Sequence, residues 1–347
     1  MLPTKSYAAQ TPSATLAPFS FERREPGAHD VLIKIEYCGV CHSDIHQVRN
    51  DWFEGIFPMV PGHEIVGKVE KVGAQVKKFK VGDSVGVGCF VDTCRTCESC
   101  TDGLEQYCEK HISFTYNGTQ QDQKTPTYGG YSSQIVVDEN YVVSVDPKLS
   151  LDGVAPLLCA GITTYSPLQH WKVKKGDKVG VLGLGGLGHM AVKFAAAMGA
   201  EVTVLSSTAA KKADATKLGA HKFMHTPDES AWATYANYFN LIIDTVSAPH
   251  DVDKYLGLVK RDGVLVIVGL PGEPTAINAG SLVANRKNLT GSAMGGIRET
   301  QEMLDFCAKH NILSEIEVIP IQKINEAYER MIRNDVRYRF VIDMSSL

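Results

Sequence analysis

The chain has no apolar run approaching the ~18 residues that a membrane-crossing helix needs. It has no basic surplus either: 35 Lys and Arg stand against 39 Asp and Glu, for a formal charge of −4 and a pI near 6.3. Nucleic-acid proteins usually show a basic excess or stripe, so neither nucleic acid nor membrane is expected as a partner. The opening residues Met1-Leu2-Pro3-Thr4-Lys5-Ser6-Tyr7 lack the charged head and apolar stretch of a secretory leader. The closing Ser345-Ser346-Leu347 is not the Ser-Lys-Leu peroxisomal address. A cytoplasmic home is the expectation. No internal repeat or low-complexity tract is present. With 44% hydrophobic and 21% charged residues, the chain is neither a disordered tail nor a fibre. Its 347 residues suggest about two domains.

What the chain does have is cysteine, nine in all. In a reducing compartment these are not a disulfide framework. Four crowd together as Cys94-x2-Cys97-x2-Cys100-x7-Cys108, in a window that Asp92, Asp102 and Gly103 mark as a loop. Two-residue gaps let successive thiolates turn onto one centre. Four thiolates close every position of a tetrahedral zinc, so this centre is expected to be structural. An iron–sulfur cluster is the competing occupant. Zinc with four thiolates leaves a formal charge of −2, which backbone amides, Arg95 and Lys110 are expected to offset.

Other candidates are dispersed. Cys41 stands in Gly39-Val40-Cys41-His42-Ser43-Asp44-Ile45-His46, His63 in Pro61-Gly62-His63-Glu64, and Cys159 in Ala155-Pro156-Leu157-Leu158-Cys159-Ala160-Gly161. Two Cys and one His match a catalytic zinc with an open fourth position. Each also has a plainer reading. Cys159 in its apolar stretch could simply pack, His63 could be a satisfied core residue, and Cys38-x2-Cys41 could be a redox pair.

The first 150 residues read as short strands between glycine-marked turns: Val31–Ile35, Ile65–Val69, Val85–Val87, Ile135–Val137 and Tyr141–Val143. After residue 150 the pattern changes to strands alternating with helices. Strands are expected at Lys178–Leu182, Val202–Leu205, Leu241–Asp244 and Val264–Val268. Helices are expected at His189–Met198, Ala209–Leu218 and Val252–Lys260. Such alternation means βαβ units and a parallel sheet. A helix Glu299–His310 follows, and a strand Phe340–Asp343 returns to the first domain.

Gly183-Leu184-Gly185-Gly186-Leu187-Gly188 follows an expected strand and opens an expected helix, the context a dinucleotide fingerprint requires. Gly183 permits the tight turn, Gly185 the approach of pyrophosphate, and Gly188 helix–sheet packing. An NAD-specific site places an acid about 20 residues beyond the first glycine. Here Ser206, Ser207 and Thr208 stand there, with Lys211 and Lys212 following, and Glu201 lies at the wrong end of the strand. Hydroxyls and ammonium groups suit a 2′-phosphate, so NADP(H) is the expected cofactor.

Together these residues resemble the zinc-dependent medium-chain alcohol dehydrogenases, most closely their cinnamyl alcohol dehydrogenase branch. Gly62-His63-Glu64-x2-Gly67-x5-Gly73-x2-Val76 is similar to that superfamily's zinc signature, and the other motifs occur in the family's order over essentially the whole chain. The resemblance implies an α/β chain: a GroES-like β-rich catalytic domain (1–153 and 292–347) and a Rossmann doubly wound NADP-binding domain (154–291), with the active site between them. It implies two zincs per chain, one on Cys41, His63 and Cys159 and one on Cys94, Cys97, Cys100 and Cys108. Glu64 resembles the acid behind the catalytic metal, and Asp44 the carboxylate that orients the ligand His. Ser43 and His46 resemble the proton relay, with Ser43 where many relatives carry Thr. Thr163 resembles the residue beneath the nicotinamide, and Gly291-Ser292-Ala293-Met294-Gly295 the segment whose backbone meets it. Ser206, Ser207, Thr208 and Lys211 resemble the 2′-phosphate set. The implied activity is hydride transfer between NADP(H) and aldehydes or primary alcohols, of broad or aromatic range, in a homodimer. Trp52, Phe53, Phe57 and Met59 either line an aromatic pocket or belong to core and rim. The rival readings are a zinc-independent quinone or enone reductase of the same fold, a non-enzymatic zinc module, and a thiol nucleophile at Cys159 or Cys41.

Overall fold

A computed structural model describes residues 1–347. The chain opens with the hairpin β1 (Leu2–Ala8) and β2 (Ala17–Arg23), then β3 (Asp30–Val40), α1 (His42–Arg49), β4 (Ile65–Val72), β5 (Ser84–Val87) and β6 (Phe90–Thr93). A short α2 (Glu98–Thr101), β7 (Ile112–Phe114), β8 (Gln134–Asp138), β9 (Val143–Ser144) and α3 (Leu151–Val154) lead to α4 (Ala160–His170). Then come β10 (Lys178–Leu182), α5 (Gly188–Ala197), β11 (Glu201–Ser206), α6 (Lys212–Lys217), β12 (Lys222–His225), α7 (Glu229–Thr234), β13 (Phe239–Asp244), α8 (Val252–Leu256), β14 (Val259–Ile267), α9 (Ala279–Val283) and β15 (Asn288–Gly291). The chain closes with α10 (Ile297–His310), β16 (Ile316–Pro320), α11 (Ile324–Ile332) and β17 (Arg339–Asp343).

Two compact units result. Met1–Ile162 with Gly295–Leu347 form one, and Thr163–Met294 the other. The first is built on a seven-stranded sheet ordered β16-β17-β3-β4-β5-β9, with β8 also paired to β3. C-terminal β17 lies antiparallel to β3, with Phe340 opposite Val40. Val31, Ile33, Ile35, Val40, Ile65, Val85, Phe340 and Ile342 form its dry centre. Helix α11 covers this core with Ile324, Ala327, Tyr328 and Met331, the i, i+3, i+4, i+7 stripe of an amphipathic helix.

The second unit is a six-stranded parallel sheet ordered β12-β11-β10-β13-β14-β15. Strand order reverses at β10, and ligands of such sheets bind outside the carboxyl ends of strands at that switch. Strands β10, β11 and β13 are buried nearly throughout, as parallel strands with helices on both faces must be.

Three local expectations differ from the structure. The helix expected over Val252–Lys260 stops at Leu256, because Val259 already pairs with Phe239 and the chain belongs to β14 from there. The stretch 209–218 divides into a 3₁₀ turn, Ala209–Lys211, and α6. The strand expected at Tyr141–Val143 begins as a 3₁₀ turn, Glu139–Tyr141, capped by the Asp138 carboxylate accepting from Asn140 N–H. No helix is long and apolar enough to cross a membrane.

Candidate active site

Helix α1 starts with a reciprocal cap. Cys41 is its N-cap residue, and Asp44, three positions on, accepts the Cys41 backbone N–H at 2.8 Å. Asn50 ends the helix in the left-handed region, φ 58°. Asp44, Ile45 and Val48 face inward, which leaves Ser43 and His46, also three apart, together on another face. Asp44 is fully buried and serves four donors. Besides Cys41 it accepts from Gly62 N–H at 3.2 Å, His63 Nδ1 at 3.1 Å and Tyr131 OH at 3.2 Å. One carboxylate thereby locks the loop of Cys41 to the loop of His63. With Nδ1 engaged by Asp44, His63 also hydrogen-bonds the Cys41 side chain, which ties the imidazole to the thiol.

Cys41 Sγ lies 4.0 Å from Cys159 Sγ. The donor atoms of Cys41, His63, Glu64 and Cys159 all lie within 4.8 Å of one another, and all four residues are buried. Two thiolates on a tetrahedral zinc would sit roughly 3.8 Å apart, given Zn–S near 2.3 Å, so the donor set fits zinc. The contact with Cys159 holds the Cys41 thiol well below its usual range, against burial and with help from Arg339 and His63. The same contact, with Cys89 and burial adding to it, pushes Cys159 up. Glu64 sits behind the set. Its Oε2 has no partner and lies where a Cβ on Gly39 would be, 1.9 Å away. A side chain at position 39 would have to displace the Glu64 side chain. Burial pushes the Glu64 carboxyl up, while Arg339 opposes that. Arg339, on β17, is 4% exposed. Its guanidinium donates to Glu64 Oε1 and lies 3.8 Å from Cys41 Sγ.

Ser43 Oγ is 3.6 Å from Cys41 Sγ. His46 Nδ1 meets Asp51 Oδ2 at 2.8 Å, and the Trp52 ring stacks on the imidazole with centroids 4.9 Å apart. Tyr116 stacks on His63 at 5.8 Å. Of the other aromatic-pocket candidates, Met59 is in the core, Phe57 packs against it and Phe53 is exposed. Cys38 is wholly buried, its Sγ 3.6 Å from Gly39 O, and takes no part in the cluster.

The second cluster is self-contained. Sγ separations are 3.8 Å for Cys94–Cys100, 3.4 Å for Cys97–Cys100 and 3.9 Å for Cys97–Cys108, again tetrahedral spacing. Backbone N–H groups of Thr96 and Cys97 lower the Cys94 thiol to about 6. Lys110 reaches only Thr96 Oγ1, at 3.2 Å. The Arg95 guanidinium is taken by Asp92 and Asp138 at 2.9 and 3.0 Å, so Arg95 helps through its backbone N–H, which bonds the Cys100 thiol.

In the other unit, Gly183 closes the turn after β10 with φ +89°, its N–H on Leu205 O at 3.0 Å. A Cβ on Gly188 would lie 2.2 Å from Gly183 O, whereas one on Gly185 would meet nothing within 4 Å. The space at Gly185, ahead of the first turn of α5, is open. Beyond β11, Ser206 Oγ accepts from Thr208 N–H at 3.2 Å, and Lys211 Nζ reaches across to Leu184 O at 2.9 Å. Lys211 thus bridges the strand end and the glycine loop. Glu201, at the other end of β11, is engaged by Lys222 at 3.0 Å and by Tyr238. Thr163 is buried on α4. Ser292 N–H is held by Ile267 O at 3.1 Å.

Four contributors were not singled out from sequence: Arg339, Asp51, Tyr116 and Tyr131. An arginine at the head of an otherwise apolar closing strand was the available signal for the first. Asp51 lies past the helix cap, and nothing local marks it.

Residues 27–147 match the family of the alcohol dehydrogenase GroES-like domain, and residues 186–309 that of zinc-binding dehydrogenases. The NADP-dependent alcohol dehydrogenase C 1 of Mycolicibacterium smegmatis is 55% identical, over 100% of this chain and 99% of its own. Among solved structures, a cinnamyl alcohol dehydrogenase (SbCAD4) from Sorghum bicolor superposes with a TM-score of 0.96 at 46% identity, covering 99% of this chain and 98% of its own. The CAD of Helicobacter pylori complexed with NADP(H) gives 0.93 at 47%, covering 99% of each.

Proposed function

The chain belongs to the zinc-dependent medium-chain alcohol dehydrogenases, in their cinnamyl alcohol dehydrogenase branch, and from that membership we propose how its own residues serve the reaction. It is an NADP-dependent oxidoreductase that interconverts aldehydes and alcohols. The observation that carries the reading is the buried convergence of Cys41, His63 and Cys159. When bound, zinc supplies a Lewis acid for the carbonyl oxygen, and NADPH supplies the hydride. Two thiolates and a neutral imidazole leave such a centre formally uncharged, which suits polarising a carbonyl more than generating hydroxide.

The chain's part is orientation and proton handling. Asp44 fixes the His63 tautomer and both ligand loops. Ser43 offers its hydroxyl beside Cys41, where a proton is needed as the alcohol forms. His46, one turn further along the same face of α1, gives Nδ1 to Asp51 and keeps Nε2 available to pass that proton to solvent. Gly183, Leu184, Gly185, Gly186, Leu187 and Gly188 bind the pyrophosphate, while Ser206, Ser207, Thr208 and Lys211 select the 2′-phosphate. Thr163 and Ser292 attend the nicotinamide. The rings of Trp52 and Tyr116 beside His46 and His63 favour a broad range that includes aromatic aldehydes.

We further assign the protein to the cytoplasm as a homodimer. Strand β15 is the sheet's terminal strand, and Leu270 and Val283 nearby in sequence are exposed. A terminal strand is an edge that a second copy can extend. An aldehyde panel run with NADPH against NADH, with zinc counted per chain, tests the function. Two zincs and an NADPH preference are expected. Full turnover in zinc-free protein would favour the quinone-reductase reading.

A further inference from the structure

The four-cysteine lobe makes a contact that the chemistry above does not use. Glu105 Oε2 accepts the backbone N–H of Ile297, the first residue of the 14-residue α10, at 3.1 Å. The N-cap of α10 is Gly296, which has no side chain to serve its own helix. A carboxylate from 192 positions away fills that role, and negative charge suits a helix N-terminus. The lobe and the helix are tied a second time, by Arg298 Nη2 donating to Asp102 O at 2.9 Å. Their backbones nearly touch: a Cβ on Gly296 would stand 1.9 Å from Gly103 O. Glu105 itself opens the 3₁₀ turn that delivers Cys108, whose N–H bonds to Glu105 O at 3.0 Å. The position of the carboxylate is therefore set by the ligand loop.

What precedes α10 gives this tie its consequence. Strand β15 ends at Gly291, and Ser292 is still held by Ile267 O at 3.1 Å. Helix α10 starts at Ile297. Only Ser292–Gly296 bridge the two, and the bridge is constrained: Met294 has φ +51°, and a Cβ on Gly295 would stand 2.6 Å from the Ile162 side chain. This short bridge includes the residues assigned above to the nicotinamide.

We propose that Glu105 is a positioning residue that passes the order of the four-cysteine lobe to the bridge Ser292–Gly296, so that the structural metal site sets cofactor affinity as well as stability. The proposal rests on the reading of Ser292 and its neighbours as the nicotinamide segment. With Glu105 in place the first turn of α10 is satisfied and the bridge has a fixed far end. Without it the Ile297 N–H turns to water, the first turn frays, and ordering the bridge becomes part of the cost of binding NADPH.

The test uses the zinc-loaded full chain and the variants Glu105→Ala and Glu105→Gln. NADPH affinity is read by fluorescence titration, zinc per chain by elemental analysis, and backbone order by hydrogen exchange over residues 292–300. Glu105→Ala should weaken NADPH binding about fivefold, the factor that one helix cap is worth. It should speed exchange over 292–300 and leave the KM for aldehyde and two zincs per chain unchanged. Glu105→Gln, whose amide oxygen still accepts the Ile297 N–H, should recover most of the affinity. If Glu105→Ala does not fold, Arg298→Ala cuts the second tie without changing any residue of the ligand loop and should weaken NADPH about twofold, with the same faster exchange. Folded, zinc-loaded variants with wild-type NADPH affinity and exchange would overturn the coupling alone. Failure of the wild type to bind NADPH would overturn the cofactor reading, and this proposal with it.

Discussion

At the scale of single residues, Asp44 does more than its neighbours' positions in sequence announce. Its carboxylate takes four donors from three parts of the chain, and two of those parts carry Cys41 and His63 of the converging cluster. Asp44→Ala should reduce catalytic metal affinity or activity about 10–100-fold, the usual cost of removing a ligand's outer partner. Zinc per chain should fall toward one, because the four-cysteine site is untouched. Ser43→Ala separates relay from metal: turnover should fall about 100-fold or more with zinc unchanged, and undiminished turnover would remove Ser43 from the relay. Asp30 offers a purely structural check. Burial raises its carboxyl, but the hydrogen bond to Arg24 and the Gly27 N–H outweigh that and hold it below 3.8. A depressed carboxylate stabilises the fold in full above the unfolded value near 3.9, and that stability is lost as pH falls through the folded value. Asp30→Asn should therefore cost roughly 1 kcal/mol at pH 7. The melting-temperature gap to wild type should close in acid below about pH 4. Cys41, His63, Cys159 and Asp44 stood in short motifs of the sequence, and the structure brings them together. Arg339 and Tyr131 were not legible there, since only folding brings them to Glu64 and Asp44.

At the scale of elements, the glycine loop was the most readable part, whereas α1, His42–Arg49, was not expected. Gly183-x-Gly185-x2-Gly188 sits between β10 and α5 because each glycine has a separate reason that local geometry states: a positive φ, an open approach, a close backbone. Gly185→Asp tests the second of these. A Cβ there would meet no protein atom within 4 Å, so folding and both zincs should survive. Charge repulsion should weaken NADPH at least about tenfold, measured by titration. Element boundaries were less legible where pairing decides. The apolar pattern over Val252–Lys260 suits a helix, yet Val259 opposite Phe239 claims the end of that stretch for β14. Likewise Arg95 reads as a counter-charge for neighbouring cysteines until Asp138, on a different strand, takes it.

At the scale of the whole molecule, the chain builds two units, each holding its own part of the chemistry. Both metal-fitting clusters lie within Met1–Ile162 and Gly295–Leu347, and the glycine loop lies within Thr163–Met294. The sequence announces this division through its change from glycine-punctuated strands to βαβ alternation. It announces the return of the C-terminus only weakly, in one apolar strand that proves to be β17 beside β3. The central claim is that Cys41, His63 and Cys159 grip one ion while four other cysteines grip a second. An anomalous difference map recorded across the zinc absorption edge tests it most directly. Two peaks per chain are predicted, one among Cys41, His63 and Cys159 and one among Cys94, Cys97, Cys100 and Cys108. A zinc-replete crystal with a peak only at the four cysteines would contradict the account.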